Sequence, residues 1–355
     1  MRITQYSKFI LVAVLLLVSA ASSAAQTDEL QLVQLRRQLA LRYMEPRVHL
    51  QLAKYYLQNG DRLQAFYISE YARRTFPKSE FNQAFQTHFG GRSTTVSKSA
   101  EALLYKAKEL DQAGDIKGAE DYFTRAAEQS PGSVEVQTWV GRYFFKNRKD
   151  NLKALPFYLN AYFLNPDAYE TEFVESRIRS INYEEATIRY HQLSQQDASL
   201  EEILKEPNPT VVVLALEQVR ENWQPAYLKP VVSGLAHDDE EVRWLCSEAL
   251  QKHMDRTFDA DLKVLLQDRD LRIRGLAAYV AAHVWKEGSL ELLRNMLNDE
   301  AQLLRFDAIS SLSRDGGNEG RKILIAHRRR ETSPGLRLMI DKAISRPAAT
   351  QPKKL

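Results

Sequence analysis

The sequence predicts an all-α fold, a solenoid of helix–turn–helix repeats, and three observations carry that prediction. Turn formers are scarce: 14 Gly and 12 Pro stand among 355 residues, well under the usual combined share of about 12%. A fold built from many tight β-turns is thereby excluded. Three segments of the N-terminal half carry like residues at the same offsets before a proline. Segments of the C-terminal half recur every 31 residues, and self-similarity at such a period marks stacked repeats.

The first element is an export signal. Arg2 and Lys8 precede the apolar run Phe9–Val18, and Ser19–Ala25 supplies small residues, with Ser23 and Ala25 three and one places before a cut at Gln26. That order of charge, apolar run and small residues is a secretory signal. The run is about ten residues, short of the roughly 20 that span a bilayer, so cleavage is expected and retention as an N-terminal anchor is the alternative. No Cys follows the run closely, which excludes a lipid-anchored form. The expected location is periplasmic or secreted.

Without residues 1–25 the chain holds 47 basic and 46 acidic side chains. It therefore has no global field to attract nucleic acid or an anionic membrane. One local excess, Arg321, Lys322, Arg328, Arg329 and Arg330, reads either as a helix end favoured by the dipole or as an anionic docking patch. Cys246 is the only cysteine, so no intramolecular disulfide and no multi-Cys zinc site can form. No cofactor or metal is expected.

The segments ending at Pro77, Pro131 and Pro166 align. The first carries Ala53, Tyr56, Ala65 and Ala72; the second Ala107, Leu110, Ala119 and Ala126; the third Gly141, Phe144, Ala154 and Ala161, with one residue inserted in its turn. A weaker fourth copy has Phe173, Val174, Ala186 and Tyr190. Asn59-Gly60-Asp61 and Ala113-Gly114-Asp115 are the expected turns between helices. These residues resemble the tetratricopeptide repeat family, specifically over about 45–166 and more weakly to 198. The resemblance implies paired antiparallel helices, close-packed through the small residues, with the first helix of each pair lining a concave groove. An insert, 78–98, separates the first two copies and reads as a short helix over Phe81–Phe89 followed by a flexible link.

Further on, Leu200, Val231, Leu262 and Leu293 recur in register, as do Leu204, Leu235, Leu266 and Leu297. Val211, Val242, Ile273 and Leu304 form a third column, Ala215, Cys246, Ala277 and Ala308 a fourth, and Val219, Leu250, Ala281 and Leu312 a fifth. Leu336, Arg337 and Ile340 start a further copy, one residue out of step. The copies resemble HEAT repeats of the phycobilin lyase-like type, over about 199–345. Arg243, Arg274 and Arg305 start the second helices, and Asp268 and Asp299 lie six residues before the latter two; His237, with Asp238 beside it, stands in the preceding copy. The resemblance implies an Arg ladder, each guanidinium reaching a carboxylate of its own or a neighbouring repeat. Together the two resemblances imply one continuous right-handed α-solenoid. The expected division is a signal at 1–25, a tetratricopeptide-like domain at 26–198, a HEAT-like domain at 199–345 and a disordered tail at 346–355.

No phosphate loop, H-E-x-x-H helix or G-x-S-x-G elbow occurs. His49, His88, His191 and His237 are scattered and read as structural or solvent-facing. Cys246 stands in a column of small buried residues and reads as packing, with a reactive thiol as the alternative. The most suggestive surface is a basic residue after each small packing residue: Lys54, Lys108 and Arg142. Gln58, Gln112 and Lys146 follow four residues later on the same helical face. Such a column can grip acidic side chains or a C-terminal carboxylate of an extended peptide, or it is a solvated face. Aromatics are dense between Trp139 and Tyr190, as packing or as a docking patch. The expected function is a non-enzymatic exported scaffold or adaptor that binds envelope proteins or peptides. The alternative is a HEAT-like enzyme of the lyase or nucleic-acid glycosylase type, whose intracellular substrates the export signal argues against.

Overall fold

A computed structural model describes residues 28–90, 94–166 and 169–345; the predicted signal and tail lie outside these. Every described element is helical, and none is long and apolar enough to cross a membrane. Helix α1 covers 28–41. It is followed by α2 (Pro46–Gln58), α3 (Arg62–Thr75), α4 (Lys78–Phe89), α5 (Lys98–Gln112), α6 (Ile116–Gln129), α7 (Val134–Arg142), α8 (Asn151–Leu164) and α9 (Tyr169–Gln195).

The three aligned segments share one local design. Asp61, Asp115 and Asp150 cap the second helices, each side chain accepting from the backbone N–H three residues on, which satisfies a donor the helix start leaves unpaired. Just before the cap the chain turns through the left-handed region, at Gly60 (φ +85°) and Gly114 (φ +82°). The third copy puts Lys149 there (φ 56°). Its inserted residue is absorbed by widening Tyr143–Arg148 into a π-helical turn, the usual fate of a single insertion within a helix. Lys149→Gly is expected to stabilise the chain by roughly 0.5–1 kcal/mol by relieving the left-handed side-chain clash. A chemical-denaturation midpoint that falls instead would refute that account. Ala53, Ala65, Ala72, Ala107, Ala119, Ala126, Ala154 and Ala161 are all fully buried, as the columns require.

The fourth copy departs from expectation. Phe173, Val174, Ala186 and Tyr190 lie on one 27-residue helix, α9, without a turn. Its Ile178 and Ile181 join the N-terminal core while Ala186 and Leu193 join the C-terminal one, so α9 bridges the halves. The insert is helical where expected, and α4 packs on α2 with Phe81 and Phe85 buried.

The C-terminal half pairs short helices α10 (Leu200–Ile203), α12 (Leu228–Gly234), α14 (Asp259–Leu265) and α16 (Leu290–Met296) with α11 (Pro209–Glu221), α13 (Glu240–His253), α15 (Leu271–Trp285) and α17 (Gln302–Asp315). Helices α18 (Gly317–His327) and α19 (Pro334–Ser345) close it. Asn208, Asp239 and Asp270, 31 residues apart, cap α11, α13 and α15. The fourth place is Ala301, whose backbone N–H donates instead to Asp299 Oδ1 at 2.8 Å. Of the twenty column positions only Leu204, Leu266 and Ile273 are half-buried; the rest are buried.

Stacking only on sequence neighbours is not what the first repeat does. Helix α3 lies on α8, with Phe66 and Tyr162 rings 4.8 Å apart and Arg62 donating to Asn160 at 2.8 Å. The hairpin then reaches across the chain. Leu39, Ala40, Tyr43, Val48, Leu52 and Ile68 share a core with Leu303 of α17, and the Met44 N–H donates to Gln302 at 2.9 Å. Asp238, just before α13, accepts from Arg36 of α1, from Tyr56 of α2 and from Arg272 of α15. The two halves thus meet twice, through α9 and through this seam.

Candidate functional site

Helices α5 and α7 bring together part of the predicted cationic column. Lys108 Nζ stands 4.1 Å from the centre of the Trp139 ring, and the Arg142 guanidinium 5.1 Å from it. Both cations thus share one aromatic ring, an attraction worth about 0.5–1 kcal/mol each at exposed sites. Arg142 also covers Phe173 at 5.5 Å. Gln112, Asp111, Tyr143 and Asn147 complete a depression of about 200 Å³, in which Asn147 donates to Asp111 at 2.9 Å. Arg142 Nε is buried there without a hydrogen-bond partner among the described residues, and the Tyr143 hydroxyl faces Asp111. Burial, and then the nearby Asp111 charge, push the Tyr143 hydroxyl up to about 12, so it remains a neutral donor. The π-helical turn after Arg142 carries Tyr143, stacked on Phe123 of α6 at 4.1 Å, and Asn147, bonded to Asp111 of α5; such turns are frequent at functional sites.

The rest of the column is elsewhere. Lys54 and Gln58 lie on α2, where Lys54 is close enough to lower the His88 imidazole, an effect second to burial. Lys146 is exposed on the π-helical turn and does not line the depression. The cationic surface is therefore Lys108, Gln112 and Arg142, in two adjacent repeats. Of the exposed aromatics beside it, Trp139 begins the stretch read from the sequence as packing or as a docking patch, whereas Tyr105 was not singled out. Trp139 (37% exposed) and Tyr105 (61% exposed) occupy the same repeat place, two residues before Gly141 and Ala107, and that pairing is the signal that would have found Tyr105.

The ladder differs from the expected one. Arg243 Nη1 donates to the His237 carbonyl at 2.6 Å, Arg305 Nη1 to Asp299 O at 2.8 Å and Arg337 Nη2 to Glu331 O at 2.7 Å. The common bond is to the main chain six residues earlier, and the out-of-step copy keeps it. Carboxylate partners are added unevenly: Glu240 for Arg243 and the fully buried Glu331 for Arg305, at 3.0 Å. Arg274 breaks the pattern, with its Nε buried and unbonded and no ion pair among the described residues. Asp268 accepts from the Asp270 N–H and Asp299 from the Ala301 N–H, so both serve turns, not guanidinium groups. Arg272, two residues earlier and 6% exposed, instead joins Asp238 and Asp270.

Cys246 packs against Gly234, where a Cβ would collide with its sulfur, and burial alone raises the thiol far above its ordinary range. Such a thiol is not a nucleophile. His49 and His237 are each lowered to about 4, first by burial, and are neutral at pH 7. Of the basic stretch, Arg328 pairs with Asp341 and Lys322 with Glu319. Most aromatics between 139 and 190 pack inward; Trp139 and Tyr183 are exposed. Among the described residues no group of His, Cys, Asp and Glu could hold a metal ion. The chain matches no family model and no curated protein.

Proposed function

We propose that this chain is a non-enzymatic, exported adaptor. It is read as a right-handed α-solenoid, tetratricopeptide-like and then HEAT-like, that binds an acidic or carboxylate-ended peptide segment of an envelope protein. The observation that carries the reading is the pair of cations on one exposed indole, with a buried Arg142 N–H that has no acceptor in the described protein. An anionic group in the depression would pair with the terminal N–H groups of the same guanidinium, which make no hydrogen bond among the described residues, and a charge-assisted bond of this kind is about twice as strong as a neutral one. Gln112 offers a side-chain amide beside it. The export reading rests on the charged, apolar and small-residue order of residues 1–25, and the adaptor reading on the extended surface that stacked helical repeats present.

The test is a fluorescence titration with an acidic heptapeptide bearing a free C-terminal carboxylate, beside its amidated twin. Replacing Lys108 and Arg142 together by Glu is expected to reduce binding at least 100-fold and to cost only about 1–2 kcal/mol of stability, the two lost attractions to the indole, because partly exposed helix positions accept Glu. Parent binding should weaken as salt rises, since exposed charge contacts are screened over about 8–10 Å at physiological ionic strength. Equal binding by the double variant would make the face a solvated one.

A further inference from the structure

A cleft of about 510 Å³ lies where the N-terminal hairpin meets the C-terminal repeats, remote in the chain from the α5–α7 surface. Its walls are largely apolar and aromatic, with Leu52 and Tyr71 from the hairpin and Trp244, Leu276, Tyr279 and Phe306 from α13, α15 and α17. Asp307 of α17 opens onto it. This carboxyl is only 6% exposed and makes no hydrogen bond among the described residues.

Asp307 is out of place by the chain's own repeat. Counting back by 31 residues gives Leu276, Leu245 and Leu214, so an acid interrupts an apolar column. Room for it is made by a second departure, Gly275 on α15, where a Cβ would collide with Asp307 Oδ2. The repeat equivalents of Gly275 are Trp244 and Phe306. Burying a carboxyl without a partner costs stability, and a leucine would not. Packing therefore gives no reason for the pair.

Except for the exposed Glu241, the neighbouring charges are answered within the protein. Glu240 pairs with Arg243 and accepts from Tyr43 at 3.1 Å. Asp239 accepts from the Glu241 and Val242 N–H groups at 3.0 and 3.1 Å. Arg74 and Arg179, at the hairpin side, pair with Glu175. Asp307 has no hydrogen bond or ion pair among the described residues, and only the Arg243 charge nearby acts in its favour.

We infer that the cleft binds an organic ammonium ion carried on an apolar stem, the charged group meeting Asp307 and the stem lying on the aromatic wall. A cleft of this size is within the usual range of about 300–1,000 Å³ for small-ligand sites, and aromatic faces attract cations. Trp244 is 41% exposed and lies 5.0 Å from Tyr279, whose other attraction is already used by Arg314 at 3.5 Å. Five carboxyl groups, of Asp238, Asp239, Glu240, Glu241 and Asp307, line the cleft against Arg74, Arg179 and Arg243, and those arginines are already paired with Glu175 and Glu240, so the charge left for a ligand to meet is negative. Burial, and then the Glu240 charge, raise Asp307 well above the carboxylate range, with the Arg243 charge opposing them only in part. Ammonium binding is thus coupled to release of its proton to the buffer.

The test is isothermal titration of the full chain with 2-phenylethylamine, with 2-phenylethanol as the neutral control of like shape, and with Nα-acetyl-lysine methylamide. The amine is expected to bind at least tenfold more tightly than the alcohol. Asp307→Asn should remove that preference and the proton release seen between buffers of different ionisation heat. Asp307→Leu, which restores the column, should abolish amine binding and raise the melting temperature. Tighter binding of phenylethylamine assigns a free amine, and tighter binding of the lysine derivative a lysine side chain of a polypeptide. Equal affinities for amine and alcohol, equal affinities for parent and Asp307→Asn, or no binding of either amine at millimolar concentration would overturn the inference.

Discussion

Replacing Asp238 with Ala is expected to cost about 1.5–3 kcal/mol and to free the N-terminal hairpin from the C-terminal repeats. The magnitude is that of losing hydrogen bonds to a charged group, since the buried guanidinium keeps a second carboxylate and only a partly exposed one is left without. Asp238 is 9% exposed at its side chain and holds Arg272, itself 6% exposed, with Arg36 and the Tyr56 hydroxyl on the same carboxylate. Arg272 keeps Asp270, whereas Arg36 loses its carboxylate. The loss should therefore be unequal, greatest in α1 and α2 and least in α5–α8. Amide hydrogen exchange reads this directly, because local opening lowers protection only in the released unit. If protection in α1 is the same in Asp238→Ala and the parent, the seam is held by its apolar core of Tyr43, Leu52 and Leu303, and the carboxylate is incidental.

The second large effect is expected at Arg305. Its guanidinium bonds Glu331 through Nε and Nη2 at 3.0 and 3.1 Å and two carbonyls through Nη1, while the Glu331 side chain is fully buried. Burial raises Glu331, but Arg305 and the Ser333 N–H outweigh it and hold the carboxyl below its usual range. Arg305→Ala should cost about 3–5 kcal/mol, and Arg274→Ala, which breaks no ion pair, less than about 1 kcal/mol. Denaturant midpoints for the two variants check the difference, and equal midpoints would contradict it. The sign of the pH effect follows. Glu331 has a lowered folded-state value, so its contribution is present above the unfolded carboxylate range near pH 4 and is lost as pH falls through the folded value. The gap between parent and Arg305→Ala should narrow in acid.

The ladder illustrates where reading a sequence stops. The 31-residue spacing puts arginines at the starts of successive second helices, and Arg243, Arg305 and Arg337 do share one main-chain bond. Which carboxylate each also meets depends on side chains a few ångströms apart in neighbouring turns. Asp268 and Asp299 are spent on the N–H groups of tight turns, and Arg272 takes the position expected of Arg274. The cationic column divides for a similar reason. Lys108 and Arg142 follow each other in adjacent repeats, but Lys54 belongs to a hairpin that the 78–98 insert lets turn away, so a column drawn in sequence is not one in space. Asp307 was open to detection, since three leucines at 31-residue spacing predict a fourth, yet only the facing Gly275 shows that the acid has been given room.

What the sequence determined by itself is everything decided within a few residues of chain: the helices, their aspartate and asparagine caps, the left-handed turns, and the small and apolar columns that become buried. These rest on hydrogen bonds and packing between residues close in sequence, and each copy repeats them, so the pattern is legible several times over. The tertiary structure alone decided that α9 runs unbroken between two cores, that the first repeat docks across the chain onto α13, α15 and α17, and that a cleft ending on a buried acid forms there. Those contacts join residues such as Arg36 and Asp238, 202 positions apart, and occur once. Nothing in local propensity or periodicity encodes a pairing that exists only after both halves have folded and the hairpin has found the one surface that buries Tyr43, Leu52 and Leu303 together.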